Sequence, residues 1–113
     1  MAKIIKIPSV YVYDTKVVGV SMTNEDGISR QDIIKREVEE EDKLYIEPEP
    51  ENEHDPNAVR VLSRNKNQIG YLNKEMAETL LPAIRNETDI RVKASWVSGE
   101  RMLGVGLRIE VVS

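Results

Sequence analysis

The chain has 113 residues, which suffice for one domain with a single core, and its lack of cysteine excludes a disulfide framework or a thiolate zinc site. Its apolar runs are too short for a membrane span or a signal peptide, so we expect a cytoplasmic protein with no membrane partner. The formal net charge is −4, but residues 37–55 hold ten of the twenty acidic residues, so a local basic surface that binds nucleic acid is not excluded.

The first third of the chain predicts one strand and one helix. Tyr11 and Tyr13 alternate near the N-terminus, a pattern that fits a sheet edge or a dimer contact. Residues 18–22 alternate between apolar and small side chains and predict the first strand. Within residues 27–38, Ser29 is placed to cap a short helix.

The stretch NEHDPNAV, residues 52–59, predicts a tight turn before a strand. Pro56 presets the turn, the carboxylate of Asp55 can accept nearby amides, and Asn57 tolerates unusual dihedral angles. These roles favour a turn that only stabilises the fold. The stretch also contains the only histidine, His54, so it could instead form one wall of a binding site.

The second half of the chain predicts a helix among strands. Asn73 is placed to cap a helix over residues 73–85, and Pro82 should kink or shorten it. Apolar side chains form one stripe on this helix, which we expect to plug one end of the sheet: Met76, Ala77, Leu80, Leu81 and Ile84. Five further alternating segments predict strands, at residues 43–47, 59–61, 69–71, 90–96 and 103–111.

The last two strands carry an aromatic residue and two glycines of interest. Trp96 continues the alternation of the apolar residues before it, so we expect its ring to be buried. Gly104 and Gly106 lie on one face of the final strand, where they permit sharp bending or the close approach of another chain. Six strands and two helices predict a closed or nearly closed antiparallel barrel.

The sequence predicts no catalytic, cofactor or metal site. Gly104 and Gly106 recur at a strand period and so do not form a phosphate-binding loop, and no serine lies in a nucleophile elbow. His54 is the only imidazole, and its acidic neighbours in an extended chain point to the opposite face. We therefore expect a protein that is not an enzyme and that holds no cofactor or metal.

Several segments together resemble the HIRAN domain, a module of certain fork-remodelling helicase-like proteins that also occurs as small stand-alone bacterial and phage proteins. The residues that carry the resemblance are Val18-Gly19-Val20, Asn52, His54-Asp55-Pro56-Asn57-Ala58-Val59-Arg60-Val61, Gln68-Ile69-Gly70-Tyr71-Leu72 and Lys74-Glu75-Met76-Ala77. We therefore expect residues 1–113 to form a single HIRAN-like domain, with the core resemblance over 17–112 and an N-terminal extension at 1–14.

The resemblance implies a mainly β fold: a small six-stranded barrel related to the OB-fold, with two helices packed at one end. In the fork-remodelling members a groove holds the 3′ end of single-stranded DNA. There an acidic residue receives the terminal hydroxyl, aromatic rings stack on the last bases, and a lysine meets phosphate. The matching nucleic-acid-binding positions in this chain are Ser21, Met22, His54, Asp55, Asn57, Tyr71 and Lys74.

This chain departs from the DNA-binding members after the Val18-Gly19-Val20 segment. Those members carry an arginine and two tyrosines there, whereas this chain has Ser21-Met22-Thr23. It therefore lacks one phosphate contact and two stacking platforms, and each stacked base contributes about 1–3 kcal/mol. We expect any binding of a single-stranded DNA 3′ end to be weak.

Two functions remain open from the sequence. One is a module for DNA repair that recognises the 3′ end of single-stranded DNA. The other is a protein-interaction module of a DNA-processing system, in which the acidic stretch 37–53 faces a basic partner. Charge placement separates them, because Arg60, Lys74, Arg91 and Lys93 around one groove would favour the first, and a broad acidic face beside it the second.

Overall fold

The computed structural model describes residues 9–112, which form six β-strands and two α-helices. In chain order they are β1 (Val10–Lys16), α1 (Arg30–Glu37), β2 (Lys43–Pro48), β3 (Val59–Leu62), β4 (Gln68–Tyr71), α2 (Lys74–Arg85), β5 (Asp89–Ser98) and β6 (Gly104–Val112). Neither helix in this range has the length and hydropathy that a membrane span needs.

The six strands form one antiparallel sheet in the order β1-β6-β5-β2-β3-β4. The sheet curls so that its two edges meet. Val18, just after β1, exchanges two backbone hydrogen bonds of 2.9 Å with Tyr71 at the end of β4. The predicted mainly β, nearly closed barrel with two helices is confirmed.

Gly70 allows the two edges of the sheet to meet. Its φ is +156°, and a Cβ atom at this position would collide with the carbonyl oxygen of Val18 and with the side chain of Val17. Residues with side chains rarely adopt such a φ, and here the space is also filled. The glycine therefore lets the chain after β1 lie directly against β4.

The core is formed by the inward face of the curled sheet and one side of each helix. Alternate residues of β6, from Val105 to Ile109, are fully buried, as the period of two requires. The other large aliphatic side chains that are fully buried come from both helices and from β2, β3 and β4: Ile33, Ile34, Leu44, Val59, Val61, Ile69 and Leu80. Each such side chain contributes about 1.5–3 kcal/mol by its burial.

Both helices begin where their capping residues predict. The hydroxyl oxygen of Ser29 accepts the amide of Asp32 at the start of α1, and the side chain of Asn73 accepts the amide of Met76 at the start of α2. Helix α2 runs through Pro82 to Arg85, so the proline does not end it. The missing proline amide removes one hydrogen bond from the helix, and the buried apolar stripe on the same helix offsets that loss.

The first strand differs from the predicted one. Residues 18–22 form a single bridge and a turn, in which Gly19 has φ +76° and its carbonyl oxygen accepts the amide of Met22. The strand lies earlier, at Val10–Lys16, and pairs with β6 along its whole length. It is an edge strand whose side chains are mostly exposed on both faces, so it shows no apolar alternation. Tyr11 and Tyr13 accordingly lie at a sheet edge.

The predicted burial of Trp96 is wrong. The pairing of β5 with β6 shifts register between Ala94 and Trp96, so the alternation of β5 does not continue to the tryptophan. Ala94 is fully buried, while Trp96 is 41% exposed on the outer face of the sheet.

Candidate nucleic-acid interface

The turn at residues 52–58 is held by its own side chains. The side-chain oxygen of Asn52 accepts the amides of His54 and Asp55 at 2.9 and 3.0 Å. Oδ1 of Asp55 accepts the amide of Asn57 at 2.9 Å, and its carbonyl oxygen accepts the amide of Ala58 at 3.0 Å. This is the structural role that the Asp-Pro-Asn sequence predicts. The side-chain oxygen of Asn52, one of the residues that carry the family resemblance, thus organises the turn.

The turn role leaves part of Asp55 unused. Among the hydrogen bonds of residues 9–112, none engages Oδ2 of Asp55, and the imidazole of His54 is exposed and likewise makes none. Oδ1 fixes the carboxylate in place while Oδ2 stays available as an acceptor. The turn and binding-site interpretations of this stretch are therefore compatible.

The turn faces the N-terminus of α2 across a groove of about 300 Å³. Lys74 is the first residue of α2, is exposed, and belongs to no ion pair within residues 9–112. A helix N-terminus carries partial positive charge, so this end of the groove favours anions. The residues that line the groove are Asn52, His54, Asp55, Ala58, Tyr71, Leu72, Lys74 and Ala77.

Tyr71 lines the groove, but contacts within the fold occupy its ring and its hydroxyl. The guanidinium of the buried Arg30 lies 5.4 Å from the ring centroid, and the phenol donates a 2.8 Å hydrogen bond to Glu49. Arg30 itself is held by the side chain of Asn24 at 2.7 Å and the carbonyl of Gly19 at 2.9 Å. One face of Tyr71 is therefore covered, which leaves His54 as the exposed ring of the groove.

The structure brings together four of the seven predicted site residues: His54, Asp55, Tyr71 and Lys74. Asn57 supports the turn through its amide and does not line the groove. Ser21 and Met22 are exposed in the turn after Gly19 and also lie outside the groove lining. The predicted positions thus fall into a groove cluster and a separate exposed turn.

A second, acidic groove of about 640 Å³ adjoins the first at Asn52, His54 and Tyr71. Five glutamates contribute to its lining: Glu25, Glu47, Glu49, Glu51 and Glu53. Its one basic residue, Arg60, forms a 2.7 Å ion pair with Glu47. This groove disfavours a phosphate backbone.

The four basic residues whose gathering around one groove would favour nucleic-acid binding over protein interaction do not gather there. Lys74 lines the groove beside the turn, whereas Arg60 lies in the acidic groove. Arg91 and Lys93 project from β5 elsewhere and form ion pairs with Asp89 at 3.0 Å and Glu41 at 2.7 Å. Lys74 is thus the one member of this set beside His54.

Glu37, at the end of α1, is a buried carboxylate that sequence patterning did not single out. Its oxygens accept hydrogen bonds from the Ser63 hydroxyl at 2.8 Å and from the Asn67 side chain at 2.9 and 3.1 Å. Burial alone would raise the pKa of Glu37, but the hydrogen bonds from Asn67 and Ser63 prevail and hold it below its ordinary value. The cluster fastens α1 to the β3–β4 loop, away from the groove.

Within residues 9–112, no group of three or more histidine, aspartate or glutamate side chains is arranged to hold a metal ion.

Comparisons with known proteins identify relatives of this fold. The HIRAN domain family model matches residues 10–112. The crystal structure of the HIRAN domain of human HLTF aligns with a TM-score of 0.73 at 20% identity, over 94% of this chain and 79% of that chain. A crystal structure of a protein from Lactobacillus plantarum aligns with a TM-score of 0.75 at 11% identity, over 94% and 98%. At these identities the alignments support the fold alone.

Similarity to a curated sequence is confined to a short segment. The helicase-like transcription factor of Oryctolagus cuniculus is 38% identical over 50 residues. These residues are 44% of this chain but 5% of that protein's length. The match therefore bears on a single segment of a much longer protein.

Proposed function

The chain belongs to the HIRAN domain family, and from this premise we propose that it is a binding module, without catalytic activity, for single-stranded nucleic acid. The observation that carries the proposal is the groove between the turn at residues 52–58 and the N-terminus of α2. It combines an exposed ring at His54, an available carboxylate oxygen at Asp55 and a cation at Lys74.

The groove suits the 3′ end of a single strand of DNA. The amide of Asn57 donates to Oδ1 of Asp55 and so fixes the orientation of the carboxylate. Oδ2 makes no hydrogen bond within residues 9–112 and can accept the terminal hydroxyl. The imidazole of His54 can stack on the terminal base. Lys74 and the first amides of α2 then meet the adjacent phosphate, where the helix dipole also favours negative charge.

Binding through this groove is expected to be weak. Arg30 covers one face of Tyr71, and Met22 lies outside the groove lining. His54 is then the one exposed ring for stacking in the groove, worth about 1–3 kcal/mol. The strong contribution of several stacked bases is missing from this site.

Fluorescence anisotropy with labelled single strands tests the proposal. We expect tighter binding of a free 3′-hydroxyl end than of a 3′-phosphate end at low salt. Asp55→Asn keeps the acceptor for the Asn57 amide but removes the charge that receives the hydroxyl. A charge-assisted hydrogen bond is worth about 1.5–3 kcal/mol, so this variant should weaken binding of the hydroxyl end by roughly 10- to 100-fold.

Lys74→Ala supplies a second, independent readout. It should weaken all single strands alike and reduce the salt slope by about 0.7, the value for one phosphate contact on a single strand. Lys35→Ala is the matched control, because Lys35 is exposed on α1 and also lacks an ion pair within residues 9–112. Equal effects of the two lysine variants would refute a specific phosphate contact at Lys74.

The acidic groove favours a second candidate function, a protein-interaction module with little DNA affinity. Its five glutamates complement a basic segment of a partner protein. A lysine-rich peptide should then bind in a salt-sensitive manner, and the double variant Glu51→Gln/Glu53→Gln should weaken it. The control Glu78→Gln/Glu100→Gln changes two exposed acids outside the groove and should have no effect. Failure of the wild-type protein to bind the peptide would refute this candidate.

A further inference from the structure

Trp96 forms an exposed aromatic platform on the outer face of the sheet. Gly106 of β6 pairs with Trp96 on one side and with Lys16 of β1 on the other, so the three residues form one cross-strand row. A Cβ atom at Gly106 would collide with the indole, and one at Gly104 would lie 3.1 Å from it. The ring therefore covers the two glycines with one face, and 41% of the residue remains exposed.

The glycines give this ring its position. A tryptophan in a cross-strand row usually meets a side chain of the neighbouring strand, whereas here β6 offers only backbone at Gly104 and Gly106. The backbone of β6 thus supports one face of the indole, and the other face is open to solvent. That arrangement provides a rigid surface on which a planar group can stack.

The surroundings of the platform are polar and carry two cations. Together with Trp96, the residues Asp14, Thr15, Lys16, Asn73, Ser95 and Arg108 line a shallow groove of about 610 Å³. Asp14 is the one acid among them, and it is paired with Arg108 at 3.1 Å. Lys16 has no ion pair within residues 9–112. An aromatic face beside lysine and arginine fits a nucleobase and its phosphate.

The Trp96 groove adjoins the groove proposed for the 3′ end. Asn73 lines the former, and the next residue, Lys74, lines the latter. The side chain of Asn73 also donates a 3.1 Å hydrogen bond to Thr15, which fixes the start of α2 against β1. The two surfaces therefore meet at the N-terminus of α2.

Charge indicates which way a bound strand would leave the 3′-end groove. On one side lies the acidic groove with five glutamates. On the other side lie Lys74, Lys16 and Trp96. Because a phosphate backbone is repelled by the first surface and attracted by the second, charge favours a path over the start of α2.

We propose that Trp96 is a second stacking site, which takes a nucleobase of the strand beyond its last two nucleotides, on their 5′ side, while Lys16 faces the adjoining phosphate. The inference rests on the proposed function and deepens it, since it assigns the path of the strand beyond the groove at His54. It also supplies a platform that the Ser21-Met22-Thr23 segment does not provide.

The experiment compares a dinucleotide with a dodecanucleotide, both with free 3′-hydroxyl ends. The dinucleotide fills only the groove at His54, whereas the longer strand reaches Trp96. Trp96→Leu keeps an apolar cover over the glycines but removes the aromatic face, and it should weaken dodecanucleotide binding by roughly tenfold or more. Dinucleotide binding should not change, and Trp96→Tyr should restore most of the loss.

Intrinsic fluorescence provides a direct readout, because Trp96 is the only tryptophan of the chain. A base stacked on the indole should quench its emission, so the dodecanucleotide should quench and the dinucleotide should not. Equal dodecanucleotide affinities of the wild type and Trp96→Leu, or binding without quenching, would overturn this inference and leave the 3′-end groove standing. Failure of the wild type to bind either probe would overturn the proposed function together with it.

Discussion

Replacement of the buried Glu37 by glutamine should destabilise the protein in a pH-dependent way. Glu37 accepts hydrogen bonds from the Ser63 hydroxyl and the Asn67 side chain, and the Ser63 oxygen in turn accepts the amides of Asn65 and Asn67 at 3.2 Å each. Glutamine keeps one acceptor oxygen, but its NH₂ group replaces the other oxygen. That NH₂ group then faces the Ser63 hydroxyl or the Asn67 side-chain amide, which donate to the carboxylate in the wild type. The expected loss is about 1.5–3 kcal/mol, the contribution of a hydrogen bond to a charged group.

The sign of the pH dependence follows from the lowered pKa of Glu37. Because the pKa is lower in the folded state than the ordinary value of 4.5, ionised Glu37 stabilises the fold at neutral pH. This stabilisation is fully present above the unfolded-state pKa and is lost as the pH falls through the folded-state pKa. The stability difference between wild type and Glu37→Gln should therefore shrink below about pH 4.

Urea unfolding followed by circular dichroism, from neutral pH to about pH 3, measures this difference. Glu40→Gln is the matched control, since Glu40 lies three residues away and is exposed. It should change stability by less than about 0.5 kcal/mol. Equal losses of stability in the two variants, or a loss for Glu37→Gln that is independent of pH, would refute the stabilising role of the ionised Glu37.

Three further substitutions test the turn, the meeting of the sheet edges and the outer face. Asn52→Ala removes the acceptor of two turn amides and should cost about 1–3 kcal/mol in urea unfolding. Unchanged stability would contradict this prediction and show that water satisfies those amides. Gly70→Ala should cost more than about 1 kcal/mol and more than Gly27→Ala, where a Cβ atom meets nothing within 4 Å; equal costs would contradict the close approach to Val18. Trp96→Ala should cost roughly 1–2 kcal/mol, because it removes the stabilisation that the buried part of the ring contributes. A loss of about 3 kcal/mol or more would show that the ring is enclosed.

The elements with strong local signals could be predicted from the sequence. Asn73 and the apolar stripe after it predicted α2, and Ser29 predicted the start of α1, because capping and amphipathic periodicity act within a few residues. Only the alternation of Tyr11 and Tyr13 indicated strand β1, because it is an edge strand exposed on both faces and so lacks a buried apolar face. The register shift before Trp96 reversed the expected orientation of its ring, and nothing in the alternation of β5 indicates that shift.

The candidate site could be predicted in part. The turn at residues 52–58 and the start of α2 are separated by a short hairpin, so the sequence placed His54, Asp55 and Lys74 near one another. Two features of the site depend on how distant segments pack, which local sequence patterns do not report. They are the contact of Arg30 with Tyr71 and the gathering of five glutamates beside His54. These contacts limit the stacking surface of the groove and add an acidic boundary.

The most direct test of the proposed function is a ¹⁵N–¹H correlation spectrum of the protein titrated with a dinucleotide that carries a free 3′-hydroxyl. If the groove binds the strand end, the amide signals of residues 52–55 and 73–77 should shift together and saturate. A 3′-phosphate dinucleotide should produce smaller shifts at the same concentration. Unchanged signals in both segments, or shifts that fall on α1 and the outer face of β5 instead, would contradict binding of the strand end in this groove.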